Sequence, residues 1–247
     1  MRAPSLDELW NSAAPGGRVF RPDQLPGLPE AARRYPEHAI AAGTPLASAV
    51  RLRMHGEIKL RSWAPFTAQH VTVWDRGMIW SAVVRMNGLP VRGFDRLVGG
   101  QGAMQWRLFG MIPVAAASGP HITRSAAGRI IAESVWLPSA LCAEHVAWTA
   151  EDASHAWARV TVHGETAQMG LAIDNRGGLK TCAVPRWGNP GGGPFRYVDF
   201  GAVAEDERRF GGYTVPSRLR VGWYIGTDRF EPAGEFFRVT IDDAMYR

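Results

Sequence analysis

The sequence predicts a mainly β fold. The expected architecture is a single, strongly curved antiparallel sheet, an open half-barrel of about eleven strands. One central helix covers it, and a short helix precedes it. Three observations carry this. Ser48–Arg61 alternates with period two, Val50, Leu52, Met54, Ile58 and Leu60 against Arg51, Arg53, His55, Glu57 and Lys59. Further short apolar segments follow, separated by turn residues such as Asn87-Gly88. Ser118–Leu141 is the longest helix-like run in a chain that otherwise reads as strands.

Residues 1–28 are rich in Pro and Gly, and only Leu6–Trp10 has the makings of a helical turn. They are expected to form an arm, with residues 29–247 as one domain. Glu30–Ala41 reads as a short amphipathic helix, kinked at Pro36 and stopped by Gly43. After the alternating strand come Phe66–Trp74, Met78–Met86, Val91–Val98 and Ala103–Gly110. The central helix is expected over Pro120–Leu137, with Ser118 as its cap and Pro138 ending it. Ala126, Ala127, Ile130, Ile131 and Leu137 form its apolar arc, and Arg124, Ser125, Gly128 and Ala132 lie opposite. Arg129 and Glu133, four apart, can pair at the border of that arc. Strands then resume at His145–Thr149, Ser154–His163, Glu165–Asp174, Gly178–Pro185, Tyr197–Ala204, Thr214–Ile225 and Glu235–Asp242. Arg186–Pro194, RWGNPGGGP, holds too much Gly and Pro for regular structure, so it reads as a plain connection or as a flap over a cavity.

Composition excludes several functional classes. With 46% hydrophobic residues and ten tryptophans the chain can bury a sizeable core. No apolar run is long enough for an integral membrane span. The N-terminus lacks a basic-then-apolar signal pattern, so a cytoplasmic location is expected. The net charge of +5 comes almost wholly from scattered arginines. Without a basic stripe or aromatic recognition motif, nucleic acid is not an expected partner. The seven histidines form neither HxH nor HExxH, and Cys142 and Cys182 make no CxxC. No metal and no cofactor is expected, and the two cysteines read as free thiols.

Candidate acid–base residues remain. Glu133 borders a helix face that should point into the sheet, where burial raises a carboxyl pKa and Arg129 opposes the rise. Asp95 shares a strand face with Val91 and Leu97 and needs a partner, an arginine by composition. His121 is the third candidate, as the residue type suited to proton transfer near neutral pH. Each also has a plain structural reading, as an ion pair or a helix-end residue. The aromatic residues and methionines either fill the core or line an apolar cavity. Trp80, Met86, Trp106 and Trp136 are the candidate walls, and Arg129 the candidate contact to a polar group.

Several stretches resemble a family of bacterial proteins of unknown function. They are Trp63–Gln69, Ile79–Ala82, Asp95 with Gly100-Gln101-Gly102, Gly128-Arg129 followed by Ala132–Leu141, and Tyr213–Ser217 with Trp223. The position after Arg129, often tyrosine in those relatives, is Ile130 here. The resemblance implies a half-barrel of the lipoprotein-carrier type with an apolar cavity under its helix, and no particular reaction. The expectation is a binder of a hydrophobic small molecule or acyl chain. The alternatives are a cofactor-independent cyclase, isomerase or lyase, or an interaction module with a filled core.

Overall fold

The computed structural model describes residues 4–14, 16–25 and 27–247. The arm expected over residues 1–28 includes Met1–Ala3, Pro15 and Pro26, which lie outside the described residues. Six strands run as hairpins from the middle of the sheet to one edge: β1 (Ala49–Lys59), β2 (Trp63–Val73), β3 (Gly77–Met86), β4 (Leu89–Val98), β5 (Gln101–Leu108) and β6 (Ile112–Ser118). The helix α3 (Pro120–Glu133) and two 3-10 turns, Ser134–Trp136 and Pro138–Cys142, then carry the chain to the opposite edge. From there β7 (Ala147–Ala150), β8 (His155–Val162), β9 (Glu165–Ile173), β10 (Leu179–Gly188), β11 (Arg196–Phe210), β12 (Tyr213–Trp223) and β13 (Glu235–Tyr246) return to the middle. β13 pairs antiparallel with β1, with Ile58 opposite Phe237. The result is one open antiparallel sheet, 13 strands among the described residues, with β6 and β7 at its edges.

Period-two patterning decides which face is covered. On β2, Ala64, Phe66, Ala68 and His70 point inward, and Pro65, Thr67 and Gln69 point to solvent. The inner face packs on α3, which touches strands of both halves, β5 and β10 among them. α2 (Glu30–Ala39), which contains Pro36, adds Ala31, Ala32 and Tyr35 to the same core. α1 (Leu6–Asn11), closed by a capping box between Ser5 and Glu8, instead lies on the outer face. There Leu9 packs with Val71, Val73 and Ile79 in a small second cluster.

Two expectations about the central helix change. Its cap is Gly119 at φ 103°, with no side-chain capping bond, so Ser118 does not cap it; Ser118 is the last residue of β6. Gly128 and Ala132 are buried rather than facing solvent. From Ala126 onward the helix is sunk deep enough in the curved sheet to bury residues on both of its faces. Two glycines make this possible. A Cβ on Gly102 would sit 2.6 Å from the Thr123 backbone, and one on Gly128 would sit 3.1 Å from Arg186 Cγ.

Hydrogen bonds fix the exit of α3. Trp136 Nε1 donates to Pro216 O at 3.0 Å, and Ser139 Oγ to Ala47 O at 2.6 Å. Tyr213 Oη donates to Pro45 O and accepts from Ala47 N. The stretches Ala132–Leu141 and Tyr213–Ser217 are therefore two sides of one joint. Both cysteines are free thiols.

Candidate functional site

Register brings the polar residues of the inner face into one row. His70 lies opposite Trp80, and Trp80 opposite Asp95. α3 lays Arg129 and Glu133 over that row. Arg129 Nε donates to Glu133 Oε1 at 2.6 Å, and its NH1 to Asp95 Oδ2 at 3.2 Å. Its guanidinium also lies 5.4 Å from the Trp80 ring centre, within cation–π range. From the other half of the sheet, Arg186 of β10 donates through Nε to Ser125 O on the helix at 2.9 Å. It packs over Phe200 and Trp223, at 4.4 and 5.2 Å. His70, 1% exposed, has Nε2 at 2.8 Å from Thr72 Oγ1 and 3.3 Å from Glu133 Oε2. The hydrogen bond is to Thr72, and the approach to Glu133 is off line.

This cluster walls a cavity of about 130 Å³. Trp80, Val135, Trp136, Phe200, Leu219 and Phe237 supply apolar surface, and Asp95, Arg129, Glu133 and Arg186 the polar wall. The partly exposed apolar lining, Ile58, Val221, Phe236 and Phe237, marks the mouth. Beyond the polar wall lies a second cavity of about 100 Å³ that shares Asp95, Arg129 and Arg186. The charged cluster is thus a partition between two spaces. Among the described residues, several of its buried polar atoms accept or donate no well-formed hydrogen bond: Trp80 Nε1, Asp95 Oδ1 and Glu133 Oε2. Buried polar groups ordinarily find one.

The charges set one another. Burial would raise the Glu133 carboxyl, but Arg129 and then His70 outweigh it and hold it at about 2. Asp95 goes the other way. Burial raises it, and Arg129 and Arg186 offset only part of the rise. A third of its side chain is open, and Asp95 lines both cavities. Burial, then repulsion from Arg129, brings Arg186 down to about 9, so it stays charged at neutral pH. Glu133 is therefore a fixed negative charge, too weak a base to take a proton near neutrality. Asp95 holds its proton more tightly than an ordinary carboxyl.

The structure brings together Trp80, Asp95, Arg129, Glu133 and Trp136. It places three other candidates elsewhere. Trp106 does not line the cavity. It packs on Gly93, whose Cβ would meet its ring, braces Trp80 at 5.7 Å, and supports Asp95 from behind the cavity wall. Met86 is 37% exposed at the end of β3, beside the Asn87-Gly88 turn. His121 is exposed in the first turn of α3, about 18 Å along the helix from Glu133. There it stacks on Phe195 at 4.6 Å and accepts from Trp187 Nε1. His70 and Arg186 are site residues that the sequence reading missed. His70 shares inward parity with Phe66 and Ala68, which was the available signal. Arg186 shares parity with Cys182 and Val184, but the Gly/Pro-rich run after it reads as a loop. β10 in fact continues to Gly188.

A family model described as "Family of unknown function (DUF6544)" matches residues 18–236. The chain belongs to this family. The match spans the whole partition of this DUF6544 chain, from His70 to Arg186, and every strand up to the start of β13. No curated protein matches it. Among solved structures it is similar to a LolA superfamily protein from Nitrosomonas europaea, with a TM-score of 0.45 and 9% identity, over 88% of this chain and 92% of that one. It is also similar to a putative outer membrane lipoprotein-sorting protein domain from Vibrio parahaemolyticus, with a TM-score of 0.41 and 7% identity, over 81% and 86%. A DUF1329 family protein from Desulfovibrio piger gives a TM-score of 0.44 and 9% identity, over 87% and 90%.

Proposed function

We propose that the protein binds a small hydrophobic molecule, or a segment of an acyl chain, in the cavity between α3 and the sheet. The observation that carries this reading is the cavity itself, about 130 Å³ of mostly apolar lining against one charged wall. An apolar space of this size admits a benzene-sized group. An apolar ligand body would lie against Trp80, Trp136, Phe200 and Phe237. A polar head would meet Trp80 Nε1 and Asp95 Oδ1 and the Arg186 guanidinium.

The test is native mass spectrometry of the freshly purified protein, with solvent extraction of whatever it carries. A co-purified apolar molecule is the expected result. Val221→Trp fills the mouth from a partly exposed position, so the fold should survive and the carried mass should disappear. Equal occupancy in wild type and V221W would put the ligand outside this cavity, and the reading would fail.

A second reading has one observation in its favour. Asp95 is the single carboxyl on the cavity wall whose proton affinity is raised. In a cofactor-independent cyclase, isomerase or lyase acting on an apolar substrate, it would be the acid. Asp95→Asn should then abolish conversion of the extracted molecule while leaving its retention intact. A protein that returns the molecule chemically unchanged supports the binder instead.

A further inference from the structure

The hairpin tips of the N-terminal half carry an exposed apolar surface of their own. Met86, Leu89, Phe109, Met111, Ile112 and Val114 are 37–71% exposed. They lie on the β3–β4 and β5–β6 hairpins, which are neighbours through the β4–β5 pairing. Contiguous exposed apolar surface of this kind marks a contact site. Phe109 strengthens the case, since it sits at φ 54°, a conformation bulky residues rarely adopt. Glycine would fill that position without strain, so the ring there needs a reason.

The charge around these tips has one sign. Residues 83–92 and 105–115 contain Arg85, Arg92 and Arg107 and no acidic residue. All three arginines are exposed, and among the described residues none has a carboxylate in ion-pair range. Arg92 and Arg107 are directly opposite each other on β4 and β5. Like charges in that position oppose the pairing. An anionic surface laid across them would reverse the sign of that interaction.

The patch also shares an end of the sheet with the cavity mouth. Ile58 pairs with Phe237 on one side and Ala64 on the other. β2 and β3 then carry the row on, Phe66 opposite Val84, to Met86 and its partner Leu89.

We propose that this end of the molecule docks on an anionic lipid bilayer. Phe109, Met111 and Leu89 enter the interface, and Arg85, Arg92 and Arg107 lie at the level of the phosphates. Apolar insertion combined with arginine contact is the chemistry of interfacial binding. It needs no spanning element, and among the described residues no helix is long and apolar enough to cross a membrane. The docking goes beyond ligand binding and stands on different residues. It would present the cavity mouth to the phase in which apolar molecules dissolve.

The experiment is co-sedimentation of the full chain with vesicles of phosphatidylcholine, with and without phosphatidylglycerol. Binding is expected only with phosphatidylglycerol, and it should weaken as salt is raised. Arg92→Ala and Arg107→Ala should each lower partitioning roughly five-fold. Met111→Asp should abolish it, while Arg176→Ala, at the opposite end of the sheet, should not change it. These positions are exposed, and circular dichroism of each variant checks that it folds. Equal binding to both vesicle types, or partitioning unchanged in M111D, would overturn the proposal. So would a dimer in vesicle-free buffer that M111D dissociates, because the patch would then belong to a second copy of the chain. Ligand retention is read separately by mass, so failure of one assay does not decide the other.

Discussion

Arg129 holds two carboxylates that burial would otherwise drive to take up protons. Removing a buried partner of that kind strands the charges it neutralised. Arg129→Leu should cost about 3–5 kcal/mol, read as a fall in the urea midpoint at neutral pH. Arg129→Lys keeps the charge but loses the planar fork that reaches both acids, so its midpoint should lie between wild type and R129L. The pH dependence has a definite sign. Glu133 is held at about 2, against an ordinary value of 4.5. A depressed carboxyl contributes stability that is fully present above the unfolded value and is lost as pH falls through the folded one. Between about pH 5 and pH 2 the wild type should lose on the order of 3 kcal/mol through this group. Glu133→Gln should show a flatter profile over that window, with lower stability above it. Asp95, raised rather than lowered, works in the opposite sense, so D95N should steepen the acid loss. At this scale the sequence was readable where partners are close along the chain. Arg129 and Glu133 are one helical turn apart, and their pairing follows from spacing alone. The rest of the partition depends on register, because His70, Trp80 and Asp95 are neighbours only across strands.

The helix is the element through which both halves of the sheet act on the site. Its depth depends on Gly102, where the α3 backbone passes too close for a side chain. Gly102→Val should lift the first turn of α3, at a cost of at least about 2 kcal/mol by overpacking. Urea unfolding measures that loss, and the carried mass should fall with it, since Arg129 and Glu133 would no longer sit over the row. Gly128→Ala is milder. The atom it meets is Arg186 Cγ at 3.1 Å, on a side chain able to yield, so the fold should persist while Arg186 shifts in the cavity wall. Among the elements, β6 was the one the sequence hid. Ile112–Ser118 is an edge strand exposed along nearly its whole length, so burial imposes no alternation on it. Its last residue, Ser118, reads in the sequence as the cap of the helix. The alternating strands were legible because the curved sheet leaves one face wet, and the tryptophans because they are large. Whether each tryptophan fills or lines the interior is decided by tertiary packing, as Trp106 lying on Gly93 shows.

For the whole molecule, the order of strands separates local from distant contacts. β1–β6 and β7–β13 are each a meander of hairpins, and the halves join along the β1–β13 seam. The chain ends of the sheet meet there, with Ser48 N donating to Arg247 O at 2.7 Å and Arg247 N to Ala49 O at 3.1 Å. The path from β6 to β7 has a further consequence. Because α3 leaves one rim of the trough and its continuation enters the other, it behaves as a string across a bow. Its 14 residues span about 21 Å, and that chord limits how far the rims can part. On the proposed binding role, a ligand too bulky for the trough would protrude through the mouth rather than spread the sheet. Lengthening the string, by inserting glycine and serine at Ala143–His145, should relax that limit and shift the extracted molecules towards larger ones.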